Sequence, residues 1–198
     1  VKQWYYDKLH PDNNAMDDVN VYKHVYWDGN YGGIFQFINP PVQRFISQMK
    51  PRSIRDLAVA TSLYRPGPLE IGAHNTYLEN RTNPKGIRYA HPLLEEVLSD
   101  TCGLLVFQEQ LQLIYHKLAG VPLDETDNVR KAFTKKESSN REEAAAYRNK
   151  LREEFAEKCL ATNQIDPKTS YAIFDDMEKM VKYSFNASHA VCYSVTSY

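Results

Sequence analysis

The sequence predicts a mainly α fold with one or two short β-strands, on three observations. Apolar residues recur at helical spacing through most of the chain. Asn, Ser and Asp stand at the heads of those periods, often with a proline just inside, as helix starts favour. Apolar runs of strand length occur only at 33–37 and 103–107. With 198 residues there is room for one large domain or two small ones with a core that folds unaided.

Taken in order, residues 1–30 read as an irregular entry segment with polar turns near 10–14 and 28–30. GIFQF at 33–37 is the first strand candidate. Asn39 then caps a helix with Pro40 at its first position and Val42, Phe45, Ile46 and Met49 as its apolar stripe, and Pro51 stops it. Ser53, with Asp56 three residues on, caps the next helix, whose apolar face carries Ile54, Leu57, Ala58 and Leu63. Arg65-Pro66-Gly67-Pro68 predicts a rigid, non-helical break, because each proline fixes φ, and residues 80–86 predict a loop. Leu93, Leu94, Val97 and Leu98 place a helix over 91–99. Residues 103–107 form a buried strand or lead into a helix running from Gln108 to Gly120.

The rest is more strongly helical. Residues 123–133 form one helix, with Asp124, Glu125 and Asp127 near its start and Arg130 and Lys131 further on, the order a helix dipole prefers. Residues 142–161 form a long charged helix striped by Tyr147, Leu151, Phe155 and Leu160. Asp166-Pro167 opens a helix to about Val181, and Asn186 caps a last one.

Composition removes several function classes. Hydrophobic residues are 42% and charged residues 25%, ordinary for a globular protein and unlike a disordered tail or a collagenous repeat. Lys plus Arg number 24 against 25 Asp plus Glu, so any nucleic-acid surface is a local patch. No apolar run approaches the roughly 18 residues of a membrane span. Cys102, Cys159 and Cys192 are odd in number and widely spaced, which suits a reducing cytosol better than a disulfide framework. The motifs GxxxxGK[ST], HExxH and GxSxG are absent. Asp17-Asp18 and Asp175-Asp176 are assigned no metal, since neighbouring carboxylates on a helix point about 100° apart.

Three clusters carry chemistry. Arg130, Lys131, Lys135 and Lys136 place four cations within seven residues. They fit either a solvated helix end or a phosphate site, arginine supplying a planar fork and lysine a mobile point charge. Asn186, Ser188 and His189 sit at a helix N-terminus, where free N–H groups attract anions; a plain cap followed by a satisfied histidine is the other reading. Gln108, Glu109 and Gln110 follow a buried apolar run and also fit a simple helix start.

These features fall in a recognisable order. GIFQF at 33–37, LYRPGPL at 63–69, HPLLEEVL at 91–98, TCGLLVFQEQ at 101–110, LAG at 118–120, DNVRKAFTKK at 127–136, IFDDMEKM at 173–180 and YSFNASHAVCYSVTSY at 183–198 together resemble the bacterial DNA polymerase III alpha subunit family of replicative polymerases. The resemblance runs from about Asp17 to Tyr198, and it implies the first part of a helical fingers domain, which follows the catalytic palm. It places residues 1–30 as a palm-to-fingers entry segment and 31–198 as the fingers domain, incomplete at its C-terminal end. The opening Val1, in place of an initiator Met, agrees with the expectation that the chain is a piece of a longer protein.

The same resemblance implies roles. Arg130 and Lys131 match a basic pair facing the incoming nucleotide's triphosphate, and Lys135 and Lys136 the lysine pair that follows. Ser188 and His189 are expected to help bind nucleotide. Arg65 in the RPGP turn, Gln108, Glu109 and Gln110 in the QEQ element, and Asn186 and Tyr193 are supporting residues. The family's Gly-Phe-Asn-Lys-Ser-His motif stands here with Ser184 for the glycine and Ala187 for the lysine, which removes a cation. The palm's Asp-x-Asp motif, which holds Mg2+ in the family, does not occur, so no catalytic or metal-binding residue is assigned to this chain, and alone it is expected to be inactive. Expected partners are template-primer DNA, a dNTP and, in the full enzyme, a sliding clamp and other replisome subunits, in the cytoplasm of a bacterium or a phage-infected bacterial cell. The rival is a non-catalytic helical module that binds nucleic acid through the same basic cluster.

Overall fold

Capping side chains start several of the helices where the sequence puts them. A computed structural model describes residues 2–134 and 141–198. The chain folds as two units, the first taking in the residues up to Arg81 together with Asn186–Tyr198, the second Thr82–Phe185.

In the first unit α1 (Lys2–Leu9) and α2 (Val19–Val21) precede a stretch of π-helix, Tyr22–Trp27. The entry segment is thus more ordered than its polar turns suggest. Tyr22 and Tyr26 point inward from the π-helix and are 1% and 0% exposed. Their hydroxyls donate to Met16 O at 2.7 Å and Ser197 O at 2.8 Å, and burial pushes both phenol pKa values well up.

The expected strand at 33–37 does not form: Gly33 and Gln36 have φ of 79° and 70°, and left-handed residues turn the chain where a strand must stay extended. Then come α3 (Pro40–Met49), α4 (Ile54–Leu63), α5 (Pro66–Glu70) and α6 (Ala73–Thr82). The RPGP break is therefore a helix start. Arg65 is extended, Pro66 takes the first helical position and Pro68 the third, where the N–H that proline lacks has no acceptor within the helix. α6 also absorbs residues 80–82 of the predicted loop, because Arg81 is held: its guanidinium donates to Asp56 Oδ1 at 3.0 Å, Asp56 Oδ2 at 2.8 Å and Lys50 O at 3.2 Å.

Helix α12 (Ala187–Ser197) packs on α4, and both helices bury small side chains: Ala190, Ser194 and Ser197 on α12, and Ala58, Ala60 and Ser62 on α4. The Ser194 hydroxyl donates back to Ala190 O at 2.8 Å and that of Ser62 to Ala58 O at 2.8 Å. Each hydroxyl is satisfied by its own helix, so burying it leaves no donor stranded.

The second unit holds α7 (Pro92–Leu98), α8 (Gln108–Ala119), α9 (Thr126–Thr134), α10 (Arg141–Asn163) and α11 (Pro167–Val181). Gly120, at φ 66°, ends α8 as a left-handed cap, and Asp166 Oδ1 accepts from Thr169 N at 3.0 Å to start α11. The core centres on Leu111, Ile114, Leu118, Phe155, Ile173, Phe174 and Met177. Arg152 ties α10 to α11, donating to Asp175 at 2.7 and 2.9 Å while lying 4.0 Å from the centre of the Tyr171 ring. α9 starts later than the expected 123: Leu123 is 53% exposed and makes a turn, its carbonyl accepting from the Thr126 hydroxyl at 2.6 Å. The run 103–107 leads into α8 and shrinks as a strand to one parallel bridge, in which Phe185 N donates to Val106 O and Gln108 N to Phe185 O, both at 2.9 Å. Among the described residues there is no other strand pairing.

Candidate functional site

In the second unit, α9 is pinned by its apolar stripe. Val129 and Phe133, four residues apart, pack on the core, and the Phe133 ring lies 5.2 Å from Phe174 and 6.1 Å from Tyr115. Arg130 is partly buried and Lys131 exposed. Between them reaches Asp127, one turn earlier: Arg130 Nε donates to Asp127 Oδ1 at 2.9 Å, Arg130 Nη2 lies 2.8 Å from the same oxygen, and Lys131 Nζ lies 2.7 Å from Oδ2. Hydrogen bonds from Lys131 and then Arg130 hold the Asp127 carboxyl below the usual carboxylate range. Although consecutive residues leave a helix about 100° apart, the planar fork and the point charge both bend to this one carboxylate, a pair of cations of the kind that can meet two oxygens of a phosphate chain. Lys135 and Lys136 lie outside the described residues.

The QEQ element divides by role. Gln108 and Glu109 are partly buried, whereas Gln110 is 3% exposed and serves the architecture. Its Oε1 accepts from Val106 N at 2.8 Å and Phe107 N at 2.9 Å, and its Nε2 donates to Val97 O at 3.2 Å and Thr101 Oγ1 at 2.7 Å. One side chain thus joins α7, the extended run and the start of α8.

In the first unit, Asn186 Oδ1 accepts from His189 N at 2.9 Å, capping α12 as its position suggests. Ser188 and His189 are exposed in the first turn. The His189 ring lies tilted against Tyr193, with centroids 4.3 Å apart, and Tyr193 lies 5.3 Å from Phe35. The Ser197 hydroxyl, shared between Tyr193 O at 2.8 Å and Phe35 O at 2.9 Å, fastens the 33–37 turn to α12. Sequence reasoning misses Phe35, because only the turn replacing the expected strand carries it to α12. Arg65 is exposed at the head of α5, its carbonyl accepting from Leu69 N at 3.0 Å. The structure thus joins Arg130 with Lys131 in one unit, and Asn186, Ser188, His189 and Tyr193 in the other. Among the described residues no three His, Cys, Asp or Glu side chains gather as a metal site, and none is assigned as a ligand.

Residues 1–162 match the family described as the bacterial DNA polymerase III alpha subunit finger domain. The chain belongs to that family. Its matched stretch includes Arg65, Gln108, Glu109, Gln110, Arg130 and Lys131, while α12 lies beyond it. Relatives named DNA polymerase III subunit alpha extend the likeness. The protein from Aquifex aeolicus (strain VF5) is 33% identical over 183 residues, covering 92% of this chain and 15% of that protein. That from Staphylococcus epidermidis is 36% identical over 182 residues, covering 92% of this chain and 16% of the relative. The Mycobacterium tuberculosis protein (strain H37Rv) is 33% identical over 189 residues, 92% of this chain and 15% of its own length. The chain therefore spans about one seventh of the length of these relatives. No helix among the described residues is long and apolar enough to cross a membrane.

Proposed function

We propose that this chain is the part of a replicative DNA-directed DNA polymerase that receives the triphosphate of an incoming dNTP and contacts template-primer DNA. The reaction it serves is attack of a primer 3′-hydroxyl on the α-phosphate, with release of pyrophosphate. Arg130 and Lys131 on α9 neutralise the triphosphate, with Lys135 and Lys136 following in sequence. Ser188 and His189, on the capped first turn of α12, supply further donors, and Tyr193 offers an aromatic face.

The observation that carries this reading is the paired fork and point charge on α9, a helix anchored by Phe133 and inside the stretch matched to the finger family. Among the described residues no carboxylate cluster fits a two-metal centre, and the Mg2+ ions belong to a palm domain; a sliding clamp and other replisome subunits are partners of the full enzyme. This chain's own contribution is charge and alignment, and its place of action is the cytoplasm of a bacterial or phage-infected cell. In the complete polymerase Arg130→Ala is expected to slow single-nucleotide incorporation by about 10²–10³. Incorporation at near wild-type rate would overturn the assignment.

A further inference from the structure

Asp127 stands where it contests the cations assigned to the triphosphate. Both carboxylate oxygens are engaged, Oδ1 with the Arg130 guanidinium at 2.8 and 2.9 Å and Oδ2 with Lys131 Nζ at 2.7 Å. The nitrogen groups that would meet phosphate oxygens are those that Asp127 holds, so a polyphosphate and this carboxylate compete for them.

We propose that Asp127 is an internal counter-ion, a competitor that occupies the Arg130–Lys131 pair while no nucleotide is bound and reclaims it as pyrophosphate leaves. The proposal rests on the triphosphate reading of α9 and deepens it. Two observations support it beyond the distances. The group reaches solvent: the Asp127 side chain is 42% exposed, that of Lys131 64% and that of Arg130 27%, and such pairs three or four residues apart on a helix are weak enough to exchange, whereas a deeply buried pair would lock its cations away. The same contacts keep the Asp127 carboxyl ionised well into acid, so its charge is present throughout the neutral range. A carboxylate that only propped up α9 would aid phosphate binding indirectly. A competitor opposes it.

The test uses the full-length polymerase that carries this chain, with dNTP and inorganic pyrophosphate as probes. Asp127→Asn is expected to lower both the KM for dNTP and the inhibition constant of pyrophosphate, each by about three- to fivefold, without raising kcat. Asp127→Ala should do the same, since removal of charge is the cause, and Asp127→Glu, which keeps the charge, should restore values near wild type. Melting curves of the variants establish that each is folded. Arg130→Ala is run beside them. If it leaves the KM for dNTP unchanged, the triphosphate reading of α9 fails. If it raises that KM while Asp127→Asn and Asp127→Ala raise or leave unchanged both constants, the counter-ion proposal is overturned and the parent reading stands.

Discussion

Replacing Gln110 by leucine removes the side chain on which three segments of the second unit converge. Leucine nearly matches the volume, so the effect is polar. Val106 N and Phe107 N lose the oxygen they share, and Val97 O loses a donor; Thr101 Oγ1 still reaches Leu104 O at 2.6 Å. A buried group left unsatisfied costs about 1–3 kcal/mol, and two stranded N–H groups, offset in part by the apolar gain of leucine, give a net loss of about 3 kcal/mol. For a chain of this size that corresponds to about 6–12 °C in Tm. Thermal unfolding followed by circular dichroism measures it. Hydrogen exchange adds a local readout: the Phe185 amide, which donates to Val106 O, should lose protection together with Val106 and Phe107. Thr101→Val, paired with Gln110→Leu in a double-mutant cycle, should be non-additive, because the two side chains share a 2.7 Å hydrogen bond. A Gln110→Leu variant melting within about 2 °C of wild type would refute the reasoning, since stranded buried donors cannot be that cheap.

Cys159 is fully buried and burial pushes its thiol up to about 11, so at pH 8 a thiol reagent should label the exposed Cys192 and reach Cys159 only after denaturant is added; mass spectrometry of the labelled peptides checks this. Asp127, Asp166 and Asp175 all have pKa values below the ordinary one in the folded chain, held there by Lys131, Thr169 and Arg152 as the leading partners. Groups shifted in that direction add stability above the unfolded value near ~4 and lose it as pH falls through the folded values. The Tm should therefore stay level from about pH 7 to 5 and fall below about pH 4, as melts in buffers of matched ionic strength would reveal.

Much of the helical framework is legible because its signals are local. Ser53, Asp166-Pro167, Gly120 and Asn186 mark helix ends by chemistry that needs no partner elsewhere in the chain, and the structure uses each as a cap. The misreadings have local causes too. In GIFQF the period-two signal is too short to outweigh left-handed Gly33 and Gln36, and RPGP looks like a breaker unless its prolines are counted into a first turn. What lies beyond local signals is pairing at a distance. Phe107 meets Phe185, and Phe35 meets Tyr193, through contacts that no spacing announces. The cation pair is readable as a patch, and Asp127 as a helix-start acid. The step from spacing to counter-ion is available in the i+3 and i+4 intervals, but an exposed acid at a helix start already has a sufficient explanation in the dipole.

The hydroxyl of Tyr26 reaches Ser197 O, and that of Tyr198 accepts from Asp18 N at 3.0 Å, so the first unit is closed by segments 171 and 180 residues apart in sequence. The second unit, Thr82–Phe185, is unbroken in sequence. During synthesis from the N-terminus the two therefore mature in reverse order of their beginnings. The segments of α7 to α11 are all outside the ribosome once Phe185 has emerged, while α4 lacks its packing partner until α12 follows. Between the emergence of residue 185 and that of α12, the second unit has all of its segments outside the ribosome while the first still lacks its last helix.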